Sequence, residues 1–256
     1  MYVMGVISRF SPRVVRTVLV LALLAGAGAI AVAQRGRNRG VWVEDNVPYD
    51  GKFTFARLRY ADYNGSGWWF DYPTMERNLM TMVREVTYLR AHFYGSNIHF
   101  MDDPELLKYP VSYLSEPGYW YPSESEVLGL RTYLQKGGFV IVDDFRFNEW
   151  VNFERQMLRV LPGARFQRME LNHPVFDSFF RITSLQMQYP HPPHQPSAFL
   201  GIYEDNDPKK RLMVVINYDN DIGDYMEHSE QGWWPVNISN DAYKFMMNYI
   251  FYGLAF

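Results

Sequence analysis

A doubly wound, mostly parallel α/β sheet with an antiparallel C-terminal addition is the fold this chain predicts, on three observations. Apolar runs of strand length alternate with amphipathic stretches of helix length from residue 53 onward, the pattern of successive βα units. One run, FVIVD at 139–143, is apolar up to its final aspartate, as a central parallel strand buried on both faces is. Two strands near the end are joined by a short turn, and so short a connection suits an antiparallel pair.

The elements follow in order. FTFARLRYAD (53–62) is aromatic-rich and begins with alternation, Phe53 and Phe55 on one face, so it is the first strand. The loop YNGSGWWFDYPT leads into Met75, Leu79, Met82, Val83, Val86 and Leu89 at helical spacing, a helix of about four to five turns with one apolar stripe. NIHFMDD (97–103) and YPVSYLSE (109–116) are the next strands, with DPELLK as a helical turn between them. The following helix opens on a capping box, Ser123-Glu124-Ser125-Glu126, and stops at Gly137-Gly138. After FVIVD, NEWVNFERQMLRVLPG is a helix closed by Pro162 and Gly163, and ARFQRM a strand. HPVFDSFF is a short helix and MQYPHPPHQPS a proline-rich loop. AFLGIYED and RLMVVINYD are strands around the turn NDPKK, and a C-terminal helix starts near Ser239 or Asn240.

The chain divides into residues 1–33, a polar linker at 34–52, and a single α/β domain at 53–256. Arg9, Arg13 and Arg16 precede the apolar run from Thr17 to Ala33, and Ala31 and Ala33 stand as A-x-A before Gln34, which is a secretory signal pattern. The rival is a retained membrane anchor. The run falls short of the ~20 residues a spanning helix needs, which favours cleavage, although Arg35, Arg37 and Arg39 just beyond it oppose export. On either reading the domain is expected outside the cytoplasmic membrane, in contact with it only through the N-terminal segment.

Net charge is −3 and the isoelectric point near 6.1, so no basic field draws the chain to nucleic acid. There is no cysteine, which excludes disulfides, thiolate metal sites and a cysteine nucleophile. Aromatic residues make up 17% of the chain, enough that some are expected to line a surface groove.

Ligands of doubly wound sheets bind beyond the carboxyl ends of the strands. The residues expected there are Asp62 and Asn64 from the first strand, Glu116 from the third, Asp143, Asp144 and Arg146 from the central strand, and Asn217, Asp219 and Asp221 from the hairpin. With Trp68 and Trp120 in adjoining loops, they outline an acidic cleft with aromatic walls. Neighbouring carboxylates drive one another's pKa apart and hard cations want several oxygens, so Asp143 and Asp144 suit acid/base or metal work. Adjacent strand residues point to opposite faces, however, so one of the two is expected to be a structural acceptor. NYDNDIGD (217–224) lacks the glycine and distal glutamate of a helix-loop-helix calcium loop and is expected to be a polar turn, with Asp219, Asp221 and His173 as the weak metal-ligand candidates. His191 and His194 have a zinc-compatible spacing in a proline-stiffened loop. No G-x-S-x-G and no phosphate-binding glycine loop occurs, and no cofactor is expected.

FTFARLRY with its tryptophan-rich loop, YPVSYLSE, SESEVLGLRTYLQKGGFVIVDDF, HPVFDSFF and VVINYDNDIGDYME together resemble a bacterial family, domain-of-unknown-function family four-one-five-nine, over about residues 53 to 255. That family is similar in fold to the class I glutamine amidotransferase-like group, whose sheet is flavodoxin-like. The resemblance implies that fold, an exported or membrane-associated setting, and GGFVIVDD as the central strand. It does not imply amidotransferase activity, because the cysteine that chemistry needs is missing.

The leading expectation is an exported cell-envelope domain that binds or assembles with a protein partner and catalyses nothing. The alternatives are a carbohydrate-binding or carbohydrate-processing protein, with strand-end carboxylates and tryptophan platforms, and a metal-dependent hydrolase.

Overall fold

The computed structural model describes residues 42–61, 67–187 and 197–256, and Val43–Phe256 forms one compact unit. The strands are β1 (Ala56–Arg59), β2 (Asn97–Phe100), β3 (Val111–Ser115), β4 (Phe139–Asp143), β5 (Gln167–Arg168), β6 (Ala198–Tyr203) and β7 (Leu212–Tyr218), and the helices α1 (Thr74–Val86), α2 (Glu124–Gln135), α3 (Trp150–Val160), α4 (Ile222–Glu227) and α5 (Val236–Ala255). The strands make one sheet in the order β2-β1-β3-β4-β7-β6-β5. Its first five members are parallel, while β6 and β5 add antiparallel. The parallel part reproduces the flavodoxin-like order, with β7 in the fifth place.

All five residues of β4 are buried, as its unbroken apolar run requires of a strand between two neighbours. Alternation then sorts the core. Val111, Tyr113, Phe139, Ile141 and Val215 join one cluster with Met75, Leu79 and Val83 of α1 and with Met246, Tyr249 and Ile250 of α5. The intervening Leu114, Val140, Val142, Val214 and Ile216, equally buried, face the other side, where α2 and α3 pack together. At Gly253 a Cβ would meet Val111 and Phe139 at 2.6 and 2.8 Å, so glycine lets α5 close onto the sheet.

The capping box at Ser123 is present, its side chain accepting from Glu126 N while Glu126 accepts from Ser123 N. Elsewhere local chemistry displaced the expected ends. The first helix stops at Val86, where Thr87 donates its hydroxyl to Val83 O at 2.7 Å and Leu89 packs on the core from extended chain. The C-terminal helix begins at Val236, directly after Pro235. NYDNDIGD is not a turn alone, since Asp221 accepts from Asp224 N and starts α4. Of the linker, residues 42–52 are described, and Asn46 and Val47 lie along β2. Asn46 exchanges both amide bonds with the Ile98 backbone, and Asn97 does the same with Val47. These amides satisfy backbone groups that an edge strand leaves open. Among the described residues, no helix is long and apolar enough to cross a membrane.

Candidate functional site

β4 ends at Asp143 and Asp144 follows it, two buried aspartates with different hydrogen-bond partners. Asp143 accepts from Tyr113 Oη at 3.0 Å, Asn217 Nδ2 at 2.9 Å and Gly223 N at 2.8 Å, and Asn217 in turn accepts from Tyr249 Oη at 2.8 Å. Asp143 thereby ties β4 to β3, β7 and the first turn of α4. Burial raises its pKa and these donors oppose the rise. It is a structural acceptor with no capacity left for a ligand.

Asp144 follows in the left-handed conformation, φ 57°, which swings its carboxylate out of the strand. It is buried, accepts a long bond from Ser115 Oγ at 3.3 Å, and meets Asp221 and Asp71. Ligand oxygens of the three lie within 4.8 Å of one another. Asp221 comes from the α4 N-cap, with Oδ1 on Asp224 N. Asp71, also left-handed at φ 64°, comes from the loop before α1.

That loop is held from beneath by a buried cation. Arg57 on β1 is fully buried, ion-paired to Glu76 of α1, and donates to Trp68 O at 2.6 Å and Phe70 O at 2.8 Å. Its guanidinium lies 4.8 Å from the Tyr113 ring centre and adds positive potential under Asp71. Space is left for Asp71 by Gly223, where a Cβ would stand 2.6 Å from Asp71 Oδ2 and 2.8 Å from Tyr113 Oη.

Electrostatics set what the three carboxylates can do. Burial, then like charges, hold Asp71 and Asp221 well above the usual carboxylate range. Burial and the neighbouring Asp143 push Asp144 up to about 7, against a hydrogen bond from Asp221. Three negative charges so close in a low-dielectric site repel strongly. Near neutrality the group therefore retains shared protons or takes a cation. Oxygen-only ligands suit a hard ion such as Mg²⁺, Ca²⁺ or Mn²⁺.

Glu116 occupies the same edge at φ 50°. Its pKa is raised to about 9, by burial first and then by Asp144 and Glu149. Glu149 accepts from Arg146 N at 2.6 Å, and exposed Arg146 contributes positive potential to Asp144 and Glu116. Asp219 is buried and left-handed at φ 53°, and accepts from the Phe147 backbone.

The sequence candidates thus separate. Asp144 and Asp221 share a cluster, Glu116 adjoins it electrostatically, and Asp143 and Asn217 are the struts behind it. Asp62, Asn64, His191 and His194 lie outside the described residues. Trp68 and Trp120 are 1% and 0% exposed. Arg59 lies over the Trp68 ring at 4.8 Å, so neither indole offers a free face to a sugar. His173 accepts from Val175 N and packs against Tyr203 and Tyr252. Tyr203 pairs with Leu212 at the start of β7, which puts His173 at the opposite edge and removes it from any ligand set with Asp221. Asp71 escaped sequence reasoning. Its only signal is an acidic residue inside an aromatic loop just before a helix.

Open grooves occur elsewhere. One of about 360 Å³ contains Arg131 and Arg211, but both guanidinium groups donate to backbone carbonyls at helix ends.

No curated protein matches the chain. The sequence profile of a domain of unknown function, DUF4159, matches residues 54–254, a span that takes in every strand and helix of the described residues except the last residue of α5, and all three clustered aspartates, and the chain belongs to that family.

Proposed function

We propose that this domain binds a hard divalent cation at the carboxyl edge of its sheet through Asp71, Asp144 and Asp221, and that the cation serves hydrolysis of an oxygen-rich substrate. The observation that carries the reading is the approach of three carboxylates to within 4.8 Å, two of them on left-handed backbone. Strain and like-charge crowding of this kind are features of working sites. Three protein oxygens leave positions for water and substrate on an ion that takes six or more ligands, and a cation so held polarises a substrate oxygen and activates water. The N-terminal apolar run and A-x-A site support an exported setting for this chemistry.

Isothermal titration of the full chain with Mg²⁺, Ca²⁺ and Mn²⁺ tests it. One ion per chain is expected, abolished by Asp221→Asn. Absence of saturable binding at millimolar cation would sink the proposal. A protein-binding role is favoured by a different observation, the exposed Phe147 and Val151 beyond β4, at 59% and 67%. That reading stands if the cation site fails and a partner is captured through those two side chains.

A further inference from the structure

Along α4, from its first turn at Asp224 to His228 just past its end, lies a second group of ligand atoms with different chemistry. Asp224, Glu227 and His228 bring one atom each within 4.8 Å of one another. We propose that they form a transition-metal site, selective for Zn²⁺ over the hard cations, with ligand atoms other than those of the three-aspartate cluster, which it adjoins through Asp224 N on Asp221 Oδ1.

The spacing carries the argument. Asp224 and His228 are four apart and share one helix face, and Glu227 flanks the same imidazole. His228 Nε2 stands 3.3 Å from Asp224 Oδ1 and 3.3 Å from Glu227 Oε2. Charge-assisted N–H···O bonds close to about 2.7–2.9 Å, so these contacts, within ion-pair reach, are long for a hydrogen bond. They also have the spacing of metal ligands. With bonds of about 2.0–2.1 Å, neighbouring ligands of a tetrahedral Zn²⁺ stand roughly 3.3–3.4 Å apart.

The surroundings hold the ligands in place. The Trp233 indole stacks on the His228 ring, centroids 4.0 Å apart and planes 21° from parallel. Stacking supplies the ring orientation, because Nδ1 is buried without a hydrogen-bond partner among the described residues. Asn78 of α1 donates to Met226 O at 2.8 Å and Glu227 O at 3.3 Å, bracing the helix end. The three side chains are 15–25% exposed, sheltered yet reachable by an ion and a fourth ligand from solvent. A nitrogen donor with two carboxylates favours zinc and its neighbours, whereas the all-oxygen cluster favours harder ions.

The test uses the full chain, with Zn²⁺ binding followed by competition against a chromophoric chelator and Co²⁺ loading followed by visible absorption. One Zn²⁺ per chain is expected, with Co²⁺ giving the intense bands of a tetrahedral site. His228→Gln should weaken zinc at least 100-fold and remove the bands, while circular dichroism and Mg²⁺ or Ca²⁺ binding stay as in wild type. Asp144→Asn should leave zinc binding intact. Zinc affinity unchanged in His228→Gln, zinc lost in Asp144→Asn, or octahedral Co²⁺ spectra would each overturn the assignment, and a failed hard-cation titration would not touch it.

Discussion

Asp144→Asn is the sharpest perturbation of the aspartate cluster, since it removes one charge and preserves size. Asparagine tolerates the left-handed backbone that residue 144 adopts, and its side-chain oxygen can still accept from Ser115. Asp144 ionises at about 7 in the folded protein against 3.8 for an ordinary aspartate. That difference of roughly 3 units, at about 1.4 kcal/mol each, amounts to at most about 4 kcal/mol. Its sign follows from the direction of the shift. A raised folded pKa means that stability is fully present below pH ~4 and is lost as pH climbs toward 7, because the folded state must give up a proton it holds more tightly than the unfolded chain does. In EDTA at pH 8, Asp144→Asn is therefore more stable than wild type, melting higher by about 2–4 °C for each kcal/mol recovered. Cation acts in the opposite sense. At one hundred times its dissociation constant it adds about 2.7 kcal/mol to wild type and nothing comparable to the variant. Calorimetric scans at pH 4 and pH 8, with EDTA and with excess Mg²⁺ or Ca²⁺, read all of this. A variant less stable than wild type in EDTA at pH 8 would refute the reasoning, since it would make Asp144 a satisfied structural carboxylate like Asp143.

Gly223→Ala should push Asp71 out of the cluster, the new Cβ standing 2.6 Å from Oδ2; stability should fall by about 1–3 kcal/mol and cation affinity fall with it, measured by titration and by urea unfolding. Arg57→Met leaves Glu76 buried and unpaired and should cost about 3–5 kcal/mol in urea unfolding, with Arg57→Met/Glu76→Gln recovering a substantial part. Glu116 ionises near 9 in the folded state, so it contributes stability fully present below pH ~4.5 and lost as pH rises toward 9. Melting temperature followed from pH 5 to 9 should decline less steeply in Glu116→Gln than in wild type.

The sheet was legible because its strands are written in local apolar pattern. FVIVD could be buried only between two neighbours, and Ser123 with Glu126 carried the start of α2 in four residues. The separation of Asp143 from Asp144 was legible too, since alternation alone forbids two adjacent side chains from serving one centre, and the left-handed turn at Asp144 completes it. What was hidden depends on contacts distant in sequence. Asp71 reaches the aspartate cluster from a loop whose carbonyls are gathered by Arg57, fourteen positions earlier on β1. α4 was hidden because its cap and first turn, DNDIGD, have the composition of a turn, and packing of Ile222, Tyr225 and Met226 into the core decides the outcome. The tryptophans were ambiguous for the converse reason. An indole pair signals a core or a partner patch more often than a ligand platform, and burial under Arg59 places Trp68 in the core.

Three adjacent parallel strands, β3, β4 and β7, are each followed at once by an acidic residue in left-handed conformation, Glu116, Asp144 and Asp219. Glycine would make each of these turns without strain, and asparagine would make them without a charge. Placing a non-glycine residue there costs about 1–2 kcal/mol apiece, and burial raises the pKa of all three carboxyls, a further penalty whenever they ionise. Turn formation accounts for neither cost. The cation site proposed at the edge where such sheets bind ligands would account for both at Asp144, because a bound cation or a shared proton returns the electrostatic part and the left-handed turn aims the side chain off the end of its strand toward Asp71 and Asp221.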